Sequence, residues 1–65
     1  MKYIIFKDNS VKVFDDREIH LWMAGGEPVL SAGFYENGIA FGQSTTLGVK
    51  SRPEDTEIIK KFLNK

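Results

Sequence analysis

The sequence has no cysteine, a single histidine and only two prolines in 65 residues. Without cysteine there can be no disulfide staple, and the common thiolate-rich structural zinc sites are excluded. One histidine cannot build a His-rich zinc site within one chain. There is also no excess of charge: nine basic residues cancel nine acidic ones. A duplex nucleic-acid binder draws its affinity from neutralising phosphates, and this composition argues against one. Long apolar runs are missing too. Nothing approaches the roughly 18 residues that a membrane span requires. The opening run Met1-Lys2-Tyr3-Ile4-Ile5-Phe6 breaks at Lys7-Asp8-Asn9, too early for a signal peptide. The expectation is a cytoplasmic protein without a membrane partner.

A chain of this length reads as one domain over residues 1–65. Folding at this size buries only about 60% of the surface exposed by the unfolded chain. A core that small leaves roughly 3–5 kcal/mol of net stability, which small proteins usually supplement with disulfides, metals or self-association. The composition removes the first and calls for no cofactor or metal, so a homo-oligomer is expected.

What the chain does contain is β-rich runs and clear turn signals. Tyr3-Ile4-Ile5-Phe6 and Val11-Lys12-Val13-Phe14 flank Asp8-Asn9-Ser10, and the pattern predicts a hairpin. Val11 and Val13 share one face while Lys12 points to the other, which predicts a sheet with one wet side. Asp15 and Glu18 stand in capping-box spacing ahead of Ile19, Trp22 and Met23. The spacing predicts a helix over 16–24, ended by Gly25-Gly26; a strand over 20–23 is the alternative. On the helical reading, Trp22 and Met23 pack into the core, although Trp also suits an interaction hot spot.

Residues 29–35 form a further strand, and Asn37-Gly38 is the strongest hairpin signal, because a type I′ turn needs positive φ at both central positions. That turn fixes a register. Glu36 opposes Ile39, Tyr35 opposes Ala40, Phe34 opposes Phe41, Gly33 opposes Gly42, and Ala32 opposes Gln43. One face then carries Leu30, Ala32, Phe34, Ile39 and Phe41, with Phe34 and Phe41 as an aromatic cross-strand pair. The other carries Ser31, Gly33, Tyr35, Ala40, Gly42 and Ser44, a smooth surface against which the C-terminal helix, a second subunit or a ligand should lie. A short strand over 46–49 follows. Ser51-Arg52-Pro53-Glu54 then matches a capping box and starts a helix with the apolar stripe Ile58, Ile59, Phe62 and Leu63. Acidic residues early and Lys60, Lys61 and Lys65 late suit its dipole. The predicted fold is α+β: a small antiparallel sheet of four to five strands, a short middle helix and a C-terminal helix, in the order ββαββ(β)α.

The segment 42–52 has the composition of an anion site. Glycines free backbone N–H groups, Ser44, Thr45 and Thr46 offer hydroxyls, and Lys50 and Arg52 bring positive charge ahead of a helix start. It is not a P-loop, since Gly42 and Gly48 are six apart and no Gly-Lys-Ser/Thr closes it. The competing account is a strand, a turn and a cap built from their usual small residues. His20, near Asp15, Asp16 and Glu18, reads better as a solvated or packed side chain than as a metal ligand. Tyr35, whose hydroxyl needs a partner, is placed at an interface or stacked on a ligand. No hydroxyl, base and acid are grouped for nucleophilic catalysis, and the chain reads as non-enzymatic.

The run Val29-Leu30-Ser31-Ala32-Gly33-Phe34, followed by Gly42, Ser44, Leu47 and Ser51-Arg52-Pro53-Glu54-Asp55, resembles a pattern in short uncharacterised proteins of bacteria and their phages. The resemblance implies a small accessory protein and carries over no functional residue. In a phage it would imply an inhibitor or a ligand-sequestering protein acting on a host system. The sequence thus points to a non-catalytic binding protein. In the first form, a homo-oligomer binds an anionic small ligand, possible ligands including a nucleotide, through Ser44, Thr45, Thr46, Lys50, Arg52 and Tyr35. In the second, an inhibitor or adaptor module binds a larger protein through Tyr35 and the exposed sheet face or edge.

Overall fold

A computed structural model describes residues 1–64. The elements run β1 (Lys2–Phe6), β2 (Val11–Phe14), α1 (His20–Ala24), β3 (Val29–Glu36), β4 (Ile39–Phe41), β5 (Gln43–Ser44), β6 (Val49–Lys50) and α2 (Asp55–Leu63). The fold is α+β. Four antiparallel strands form a sheet in the order β2-β1-β3-β4, and β5 and β6 form a separate two-stranded hairpin. Lys65, counted above with the basic end of α2, lies outside the described residues.

Each hairpin arises from its turn. Asn9 has φ 69° and its N–H donates to Phe6 O, while Phe6 N–H donates to Ser10 O. Asn37 and Gly38 have φ of 51° and 78°, as a type I′ turn demands. The three pairs nearest that turn, Glu36–Ile39, Tyr35–Ala40 and Phe34–Phe41, form in the expected register, and the two phenyl rings stack with centroids 5.8 Å apart.

Beyond Phe41 the expected register ends. Gly42 has φ 78° and turns the chain out of the sheet, so the pairs Gly33–Gly42 and Ala32–Gln43 do not form. Gly33 is required here for a different reason: a Cβ on it would lie 2.5 Å from the Phe41 carbonyl oxygen. Instead of one strand over 46–49, residues 43–50 fold as the β5–β6 hairpin around a turn at 45–48.

The sheet has no fully wet side. Tyr3, Ile4 and Ile5 are all completely buried, which in an alternating strand requires cover on both faces. On one face Tyr3, Ile5 and Tyr35 pack with Ile59 of α2, and Val11, Val13, Ala40 and Ile58 border them. On the other, Ile4, Phe14 and Ala32 pack with Ala24, and Met23 of α1 and Leu47 and Val49 of the hairpin complete the layer. Each buried isoleucine contributes about 1.5–3 kcal/mol. A register shift between Ile5 and Phe6, which pair with Ser31 and Val29, moves Leu30 to the α2 side, against the alternation expected from sequence. The smooth face is therefore covered by the C-terminal helix.

Both helix starts differ from their capping boxes. Asp15 Oδ1 accepts the Arg17 N–H at 2.8 Å and pairs with the Arg17 guanidinium. Committed to that turn, it caps nothing; α1 begins only after extended Ile19, without a side-chain cap. In α2 the reciprocal bond runs from Arg52 N–H to Asp55 Oδ2 at 2.9 Å. Only half of a capping box forms, one residue later than Ser51–Glu54: the Arg52 side chain carries no acceptor atom, and the Asp55 N–H donates to Arg52 O instead. Pro53, lacking an N–H, suits the first turn that follows Arg52.

Candidate interaction surface

The 42–52 segment uses most of its polar groups on itself. Ser44 is buried, and its hydroxyl accepts the Leu47 N–H and lies 3.4 Å from Thr46 Oγ1. Gly48 N–H donates to Ser44 O, and Ser51 N–H to Gly42 O, closing the hairpin. Thr45, Thr46 and Lys50 are exposed. Arg52 is held by a carboxylate: its Nε donates to Asp55 Oδ1 at 3.0 Å, and its Nη1 lies 3.8 Å from Glu54. Asp55 is fully buried and also accepts the Tyr3 hydroxyl at 2.6 Å. Burial first, and then this bond, pushes the Tyr3 phenol up, so the hydroxyl remains a donor. One guanidinium nitrogen, Nη2, is buried without a partner among the described residues.

Tyr35 is placed far from the expected role. It is buried beneath α2 in the cluster with Tyr3, Ile5 and Ile59, which leaves its ring no open face for a ligand. Structure thus brings Ser44 and Thr46 together, holds Arg52 in an ion pair and separates Tyr35 from an exposed loop.

Exposed apolar side chains are found instead on α1 and β4. His20 and Ala24, four apart, face inward and are buried. His20 sits edge-on between Phe14 and Phe34, with centroids 5.5 and 6.0 Å away, and its Nε2–H donates to Gly33 O at 3.0 Å. Burial pushes its pKa down, helped by the Lys2 charge, while the bond to Gly33 opposes the shift. At the far end Lys12 Nζ donates to Met23 O at 2.9 Å, a cation on the helix C-terminus. With His20, Met23 and Ala24 turned to the sheet, Ile19, Leu21 and Trp22 point outward, and Trp22 is 77% exposed. The expected core position for Trp22 is overturned, while Met23 does pack inward. Ile39 and Phe41, at the other end of the Phe34–Phe41 stack, are also exposed.

Among the described residues no three or more His, Asp or Glu side chains group as a metal site, and no helix is long and apolar enough to cross a membrane. No known protein family, curated protein or solved structure matches this chain. Gly25-Gly26 limits α1 to five residues, and the sequence carried no signal for which of its faces, that of His20 and Ala24 or that of Ile19 and Trp22, meets the sheet.

Proposed function

We propose that this protein is a non-catalytic protein-binding module whose contact surface is centred on α1. The observation that carries this reading is Trp22, 77% exposed between Leu21 and the half-buried Met23. A soluble partner-free surface rarely retains a cluster of large apolar side chains, and Trp is the residue type that most often dominates interface energies. The helix itself is fixed from below by His20 and at its end by Lys12, so Trp22 is presented on a rigid base and little order is lost on binding. Partner proteins that fit present an apolar pocket to the indole. The test is a photo-crosslinker at Leu21, followed by affinity measurement with the crosslinked protein once purified. Trp22→Ala should weaken that affinity about thirtyfold, the loss expected of a hot spot. A loss no larger than that from Arg17→Ala would sink the reading.

A second reading, an anionic small ligand bound to the 42–52 segment of a homo-oligomer, is supported by one observation: the unpartnered Nη2 of Arg52 follows exposed Lys50, Thr45 and Thr46. Arg52→Ala cannot test it, because Arg52 holds Asp55. Calorimetry against nucleotides and inorganic phosphate, with Lys50→Ala and Thr46→Ala as variants, does. Absence of heat with every anion removes it.

A further inference from the structure

The two edges of the four-stranded sheet differ. At the β4 edge the outward N–H is that of Ala40, and it donates to Thr56 Oγ1 of α2 at 3.0 Å. That edge is closed. At the β2 edge the phase of the ladder is set by the bond from Phe6 N–H to Ser10 O and the pairs Ile5–Val11, Ile4–Lys12 and Tyr3–Val13. Because hydrogen-bonded and non-bonded pairs alternate in an antiparallel ladder, Lys12 bonds to Ile4, while the N–H and C=O of Val11 and Val13 point away from β1. No bond to the outer side of either residue is present among the described residues.

Open space flanks this edge on both faces. On the α2 side a cleft of about 350 Å³ lies between Val11 and the Ile58, Lys61 and Phe62 side chains. On the α1 side a larger cleft of about 670 Å³ is lined by Phe6, Lys7, Asp8, Lys12, Ala24 and Glu27 among others. Neither Lys7, Lys12 nor Lys61 is in an ion pair among the described residues. Lys12 uses its ammonium on a backbone carbonyl alone.

We infer that β2 accepts an added antiparallel strand from a partner protein, an extended segment patterned apolar–acidic–apolar. Main-chain bonds to Val11 and Val13 hold the segment, as in other strand-addition modes. Its residues opposite Val11 and Val13 point to the α2 side, into the cleft beside Ile58 and Phe62. The residue between them points to the α1 side and faces Lys12, where an acidic side chain is favoured. A second copy of this chain fits less well: the register that bonds Val11 to Val13 of another molecule sets Lys12 directly against Lys12, a repulsive cross-strand pair. The inference uses residues separate from Trp22 and stands whether or not the α1 surface binds.

The probe is a capped heptapeptide, Thr-Val-Glu-Val-Glu-Val-Thr, titrated into the intact protein and followed by amide NMR and hydrogen exchange. The expected result is shift changes confined to 10–14 and to α2 near Ile58, with exchange of the Val11 and Val13 amides slowed at least tenfold near saturation, roughly 1.4 kcal/mol of added protection. Replacing both Glu of the peptide by Lys should weaken binding about two- to fivefold. Lys12→Glu leaves the ladder pair with Ile4 in place while giving up the bond to Met23 O, and should reverse that preference. The inference is overturned if neither peptide perturbs 11–14 at millimolar concentration, if the charge swap leaves the preference unchanged, or if the Val11 and Val13 amides of the free protein become protected with rising protein concentration, which would make a second copy the occupant.

Discussion

Tyr3 and Asp55, 52 positions apart, share a buried hydrogen bond of 2.6 Å that joins the interior strand β1 to the start of α2. The same carboxylate takes the Arg52 Nε and backbone N–H. One residue thus satisfies a strand phenol, a helix entry and a guanidinium. Tyr3→Phe should lower stability by about 1.5–3 kcal/mol, the range for a hydrogen bond to a charged group, as read by urea denaturation.

The Tyr3 phenol also sets an alkaline limit. Its folded pKa is raised above its ordinary value, so the folded state holds the proton longer than the unfolded one. The stability linked to it is complete below about pH 10 and is lost as pH rises beyond that. Wild-type melting temperature should therefore fall above pH 10 more steeply than that of Tyr3→Phe. Parallel slopes would contradict the assignment.

Arg52→Ala leaves the fully buried Asp55 without its cation. Breaking a buried pair from one side costs about 3–5 kcal/mol, and the partial exposure of Arg52, 29% of its side chain, puts the loss near the lower end. For a chain of this size that is most of the net stability, so largely unfolded protein is expected by circular dichroism. Arg52→Ala combined with Asp55→Ala should be less destabilised than the sum of the two single changes. Additivity would show that the pair is not coupled.

Gly33→Ala tests the close approach of β3 and β4. The added Cβ meets the Phe41 carbonyl at 2.5 Å, and backbone must shift to admit it. A cost of about 1–3 kcal/mol is expected, as for overpacking elsewhere. The aromatic ring-current shifts of Phe34 and Phe41 should change with it.

His20 makes the acid limb. It is 4% exposed, and burial lowers its folded pKa, with Lys2 adding to the shift and Gly33 O opposing it. The unfolded state therefore binds the proton first. Stability is complete above about pH 6.5 and declines as pH falls from there toward the lowered folded value. Melting between pH 7.5 and 5.0 should show this decline in the wild type and much less of it in His20→Gln.

Trp22→Ala separates binding from folding. With the indole 77% exposed, the urea midpoint should change by no more than about 0.5 kcal/mol equivalent, while partner affinity falls.

How much of this was legible in the chain depends on how far each determinant reaches. The sequence by itself determined the first two hairpins, the element order as far as β4 and the apolar stripe of α2, because Asn9, Asn37-Gly38 and the spacing of Ile58, Ile59 and Phe62 act within a turn or two of chain. It also supplied every residue of the 42–52 segment, but not how their groups are used. Ser44 and Thr46 turn to their own hairpin, and Arg52 to Asp55, the carboxylate that also takes the Tyr3 hydroxyl from the sheet. The tertiary structure alone decided that β4 stops at Phe41, where Gly42 turns the chain out of the sheet. It alone buried Tyr35 beneath α2 and left Trp22 outside. The reason is physical: period and turn chemistry fix which residues share a face, but which faces meet is settled by packing between elements distant in sequence.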